Sequence, residues 1–129
     1  MATRSRVAAR GLSRTYDEAL RPVALKVTQF SVLVGAAMSN GGLSITELAD
    51  ALGLERSSLS RNLDPLVRRG LVTLGPETQH RARHVGITAE GRELLAEAMP
   101  LWERAQGELA ERLGPGWATA LSSLRLLST

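Results

Sequence analysis

Within one short stretch, Arg56, Ser57, Ser58, Ser60 and Arg61 gather guanidinium and hydroxyl groups with only Leu59 between them. Those groups donate and accept hydrogen bonds but form no nucleophile with an adjacent base, so their chemistry is recognition. Arginine pairs bidentately with guanine, and serine hydroxyls bond base edges or phosphate oxygens without bulk. A second polar cluster, His80, Arg81, Arg83 and His84, lies in the loop GPETQHRARH over 75–84. Arg81 or Arg83 at such a loop tip can enter a minor groove, where A·T tracts focus negative potential.

The rest of the composition removes other chemistries. The chain has 129 residues, a net charge of +3 and no cysteine, which excludes disulfides, thiolate metal sites and thiol redox switches. Both histidines sit in the basic loop, arguing against a metal centre. No Ser/His/acid set, paired carboxylates or phosphate loop can be picked out, so neither an enzyme nor a cofactor is expected. Nearly all the positive charge is arginine, with Lys26 the one lysine; phosphate recognition favours that choice, and so does a skewed genome composition. No run of 18 apolar residues exists, so nothing is expected to span a membrane.

The first cluster needs a helix to present it. Ser44 and Glu47 form a capping-box signature, Leu48, Ala49 and Leu52 make an apolar stripe, and Gly53 provides a left-handed stop. After Leu54 the chain restarts. At about 100° per residue, Leu59, Leu63, Leu66 and Val67 fall on one side of a second helix, with Ser57, Arg61, Asp64 and Arg68 opposite. Gly70 ends it, and Leu71 folds back. Two helices with a glycine turn make a helix-turn-helix, whose second helix reads base edges with its first residues. Asp64 would repel phosphate, so that helix should lift from the groove before reaching it. A solvated polar face on any surface helix shares this pattern; the turn, the cap and the basic hairpin distinguish it. Pro65 should bend the helix beyond the reading end.

The flanks follow from periodicity. Arg4, Arg6, Arg10 and Arg14 precede the first acid, Asp17, as in a transit peptide, but no cleavage boundary follows and a helix from Val7 to Leu20, stopped before Pro22, fits better. The expected location is cytoplasmic. Thr28 is expected to cap a helix with Phe30, Leu33, Val34 and Ala37 inward, ending at Ser39, Asn40, Gly41 and Gly42. Val72, Thr73 and Leu74 pair with Val85, Gly86 and Ile87 as a hairpin, the wing of a winged helix. Thr88 caps a long helix to about Leu113, in which Leu95, Ala98, Trp102, Ala105 and Leu109 form a heptad seam, widened by Leu94, Leu101 and Leu113, with Pro100 on the outer face and expected to kink it. After Gly114, Pro115 and Gly116, Trp117, Leu121, Leu124 and Leu127 mark a last helix. The fold class is mainly α with a small two-stranded wing, a winged helix-turn-helix. It forms one domain over 1–129: 1–24 and 89–129 supply dimerisation helices, 25–88 the DNA-binding region. Amphipathic terminal helices without partners favour a symmetric homodimer over self-packing.

The stretches VTQFSVLVGA, SITELADALGLERSSLSRNLDPLVRRGLV and RARHVGITAEGRELL closely resemble the MarR family (multiple antibiotic resistance regulators), over about residues 25–98. The resemblance implies a homodimeric bacterial repressor dimerised through its terminal helices, released from its operator when a small, often aromatic, acid binds between the dimer region and the winged region. It carries the base-reading positions onto Ser57, Ser58, Ser60 and Arg61, and the wing arginine onto Arg81. Gln79 stands where the family often has an aspartate that steadies the wing by an ion pair, the missing cysteine excludes the thiol-sensing branch, and the N-terminal helix is short. The expected partner is double-stranded DNA with a palindromic operator, touched by Arg56, Ser57, Ser58, Ser60, Arg61, Arg81 and Arg83. The alternative is a winged helix protein-interaction module, for which an arginine-free winged face would speak.

Overall fold

A computed structural model describes residues 14–76 and 83–113. Helix α1 covers residues 14–19, followed by a 3₁₀ turn at Arg21–Val23, α2 at Val27–Ser39, α3 at Ile45–Leu52, α4 at Arg56–Arg68, β1 at Val72–Leu74, β2 at Val85–Ile87 and α5 at Ala89–Leu113. The architecture is mainly helical with a two-stranded antiparallel sheet, in the register Val72↔Ile87, Thr73↔Gly86 and Leu74↔Val85. Both strands lie where the apolar alternation places them. The expected start of the first helix at Val7 and the expected last helix after Gly116 fall outside the described residues, as do Gln79, His80 and Arg81.

The described chain clusters into two compact units. One comprises Thr28–Glu97 and the other the described residues on either side of it. In the flanking unit, α1 closes with a bond from the Leu20 N–H to the Tyr16 carbonyl, 2.9 Å long. Pro22 then sits in the 3₁₀ turn, whose early positions tolerate its missing N–H. The Tyr16 and Trp102 rings stack with centroids 6.3 Å apart, and burial pushes the Tyr16 hydroxyl above its ordinary pKa. Ala98, Ala105 and Leu109 of the α5 seam are buried, while Leu95 and Trp102 are half-buried and Pro100 is exposed. The helix runs through Pro100 without interruption.

The first correction concerns α2. It begins at Val27, so Thr28 lies inside its first turn and is not the cap. The Asp17 carboxylate instead accepts the Val27 N–H at 2.7 Å from ten residues upstream. A carboxylate there also suits the positive end of the helix dipole. The inward face of α2 is Phe30, Val32, Leu33 and Ala36, with Val34 and Ala37 only half-buried.

The central unit is organised around Leu48, Leu59, Leu63 and Leu66, each at most 1% exposed. Fully burying a leucine contributes roughly 1.5–3 kcal/mol, so these four anchor α3 against α4. At the start of α3, the Glu47 N–H donates to Ser44 Oγ, and the Ser44 N–H to Glu47 Oε1, both at 3.1 Å. Gly53 and Gly70 follow α3 and α4 at φ 69° and 72°, a region costly for residues with a Cβ. At the end of α4 the Gly70 N–H reaches the Val67 carbonyl and the Leu71 N–H the Leu66 carbonyl, the paired bonds of a Schellman stop. Leu71 folds inward as expected. Val67 does not: it is 39% exposed, although it falls on the apolar side of the helical period. Pro65 does not end the helix, which continues to Arg68.

Thr88 caps α5 through a 2.9 Å bond from the Gly91 N–H to its hydroxyl. The Thr88 hydroxyl lies 2.6 Å from the Gly70 carbonyl, and the Thr88 N–H donates to the Leu71 carbonyl, so one residue ties α5 to the corner after α4. That corner approaches so closely that a Cβ at Gly91 would overlap the Leu71 carbonyl oxygen. A further element was not foreseen from periodicity. Ser44 forms a β-bridge with His84, flanked by Ile45 N–H to Arg83 carbonyl and Val85 N–H to Leu43 carbonyl bonds. The second strand of the hairpin is therefore paired on both edges.

Candidate nucleic-acid interface

Helix α4 separates its two faces cleanly. Leu59, Leu63 and Leu66 are buried, Ser57, Arg61, Asp64 and Arg68 are exposed on the other side, and Arg56 is exposed at the helix start. Ser58 and Ser60 are half-buried at the margin. Ser57 and Arg61, four residues apart, thus share one open surface, and Arg56 stands exposed at the first position of the helix. The N-cap of α4 is Glu55, whose side chain makes no capping bond, so no side-chain cap satisfies the first amide donors of the helix.

Ser58 is already engaged. Arg61 Nη2 donates to Ser58 Oγ at 3.3 Å, and Asn62 Nδ2 donates to the Ser58 carbonyl at 2.9 Å. Both spacings are those of neighbours on a helix face. Asn62 was not singled out from sequence, although its position four residues after Ser58 was the available signal. The first bond holds the guanidinium of Arg61 along α4, which reduces the freedom of that side chain.

Arg83 stands at the base of the hairpin. Its Nε donates to the Gly75 carbonyl at 2.9 Å, and it is half-buried. An open cleft of about 710 Å³ lies between the second half of α4 and the hairpin, with Asp64, Arg68, Thr73, Arg83 and Thr88 among its lining residues. Asp64 there, one turn before Arg68, offsets part of the local positive charge. At the start of α3, two bonds from Ser44, backbone and then hydroxyl, hold the Glu47 carboxyl below its ordinary pKa, with His84 adding a smaller pull. Among the described residues no cluster of histidine and carboxylate side chains could hold a metal ion, and no helix is long and apolar enough to cross a membrane.

The family model described as MarR family matches residues 25–83. The transcriptional regulator MosR of M. tuberculosis is 37% identical with a TM-score of 0.85, covering 98% of this chain and 91% of that one. MosR in complex with DNA is 38% identical, TM-score 0.80, covering 95% and 90%. The transcriptional repressor CouR, of Rhodococcus jostii RHA1, bound to a 23-mer DNA duplex, is 31% identical, TM-score 0.79, covering 95% and 87%. CouR bound to p-coumaroyl-CoA has the same TM-score at 28% identity, covering 96% and 87%. These relatives are regulators rather than enzymes. With the helix-turn-helix, the hairpin and near-complete coverage by MosR in agreement, the chain belongs to the MarR family of transcriptional regulators.

Proposed function

We propose that the protein is a sequence-specific DNA-binding repressor that reads a palindromic duplex as a homodimer and leaves it when a small effector binds. One observation carries the reading: Ser57 and Arg61 share the exposed face of α4 while Leu59, Leu63 and Leu66 occupy the opposite, buried face. A helix built that way lays its polar side in a major groove without exposing core. Arg56, Ser57, Ser60 and Arg61 contact base edges and the adjoining phosphates, Ser58 contributes through Arg61, and the hairpin with Arg81 and Arg83 addresses the neighbouring groove. The DNA complexes of MosR and CouR support a duplex ligand.

Residues 1–24 and 89–129 supply the dimer contact, and residues 25–88 the DNA-binding region. A twofold dimer sets its recognition helices about 34–36 Å apart, so each half of a palindrome is read once. The p-coumaroyl-CoA held by CouR supports a small aromatic acid or its thioester as effector. Such a molecule releases DNA by binding more tightly to a dimer whose reading helices are wrongly spaced.

Selection of bound fragments from random duplex DNA tests the proposal. The expected product is a palindrome bound at least about 10³-fold more tightly than random sequence, with affinity falling steeply as salt rises. Recovery of no consensus, or a monomer indifferent to duplex, would refute it.

A further inference from the structure

We infer that Arg83 is a positioning residue of the hairpin, holding its base through Nε, and does not act as a phosphate contact. The inference refines the proposed DNA reading, which grouped Arg83 with the DNA-contacting residues. Residue 75 enters the loop and residue 83 leaves it, and the Arg83 Nε–H bond to the Gly75 carbonyl joins those two ends at 2.9 Å. The ladder beside it continues through the Gly75 N–H to the His84 carbonyl. The backbone of Arg83 is tied as well, since its carbonyl accepts the Ile45 N–H from the start of α3. One residue therefore closes the hairpin with its side chain and fastens it to the helix-turn-helix with its main chain.

The physical case rests on what that bond does. A hydrogen bond from an ionised donor is roughly twice as strong as a neutral one, and half-burial shields this one from water. The bond joins the two ends of the hairpin loop directly, at positions eight residues apart in the chain.

Isosteres separate position from charge. In Arg83→Gln, the amide nitrogen takes the place of Nε and can keep the bond without charge. In Arg83→Lys, the charge remains but no donor sits at the Nε position. Amide exchange on the DNA-free protein is read at Gly75 and Ile45, and affinity is measured over a salt series on the duplex recovered by selection. Arg83→Gln should retain protection at both amides and bind with an unchanged salt slope. Arg83→Lys and Arg83→Ala should lose protection at Gly75 and bind about tenfold more weakly, the size of a lost charge-assisted bond.

The opposite ranking overturns the inference: Arg83→Lys binding like the parent, with Arg83→Gln weakened and its salt slope reduced by about one phosphate. Equal behaviour of all three variants, in either direction, overturns it too. The exchange measurement requires no DNA, so it stands even if the protein binds no duplex. Failure there is a failure of the hairpin hold, and absence of any selected duplex is a failure of the DNA reading.

Discussion

Ser44 and Glu47 close the start of α3 on itself by reciprocal bonds, whereas Glu55 stands at the N-cap of α4 with no side-chain capping bond. The two helices adjoin and share a core, yet one caps its start with its own side chains and the other does not. The contrast assigns the sources of stability. α3 has eight residues and is held partly by its cap, while α4 has thirteen and is held by three buried leucines. A helix secured from its apolar side can spend its first turn on a partner. A helix capped by its own residues cannot.

Removing the hold on α4 should have the largest effect. Leu63, 1% exposed, replaced by alanine should cost about 2–5 kcal/mol of folding stability by urea denaturation, as cavities in packed cores do. A cost under about 1 kcal/mol would mean that α4 does not depend on these leucines and would break the contrast. The outer face should behave in the reverse manner. Arg61→Ala should leave stability within about 0.5 kcal/mol but cost roughly 1–3 kcal/mol of binding to the selected duplex and relax its base preference. An equal loss on every sequence would place Arg61 on phosphate.

The caps themselves provide a smaller and sharper pair. Ser44→Ala should cost about 1 kcal/mol, since it removes the acceptor for the Glu47 N–H. Glu55→Ala should fall within about 0.5 kcal/mol of the parent, since no capping bond exists to lose. Parallel urea titrations of the two variants decide it, and equal costs would erase the distinction between the two starts.

Local signals account for what was legible. The Ser44 and Glu47 box, the stops at Gly53 and Gly70, the Thr88 cap and both strands depend on residues within a few positions of one another, so spacing alone reveals them. The open face of α4, with Ser57 and Arg61, follows from the same helical period. What spacing does not contain is which surfaces meet. Asp17 caps α2 from ten residues away, Ser44 pairs with His84 across the fold, and Gly91 is small because Leu71 lies against it. Val67 fits the apolar period yet is exposed, since nothing in a helical repeat reports which positions the rest of the chain covers. The half-buried Ser58 and the engaged Arg83 were hidden for the same reason: their partners are defined by geometry beyond the local pattern.

The smallest effect is electrostatic and lies in the α3 cap. The bonds from Ser44, backbone first and hydroxyl second, favour the ionised Glu47 and depress its folded pKa below the ordinary value of 4.5. A carboxyl with a depressed folded pKa binds fewer protons in the native than in the unfolded state, so its contribution to stability increases with pH. That contribution is fully present above the unfolded value, and it is lost as pH falls through the lower folded one. Glu47→Gln retains an amide oxygen that can accept the Ser44 N–H but has no proton to gain. Urea unfolding at a series of pH values should therefore show the variant and the parent converging as pH drops below that window and separating above it. The separation should be smaller than that of Ser44→Ala, because Glu47 is solvent-exposed and water screens its charge. A pH response that survives in the Gln variant would assign it to another group and leave the α3 start held by its neutral bonds alone.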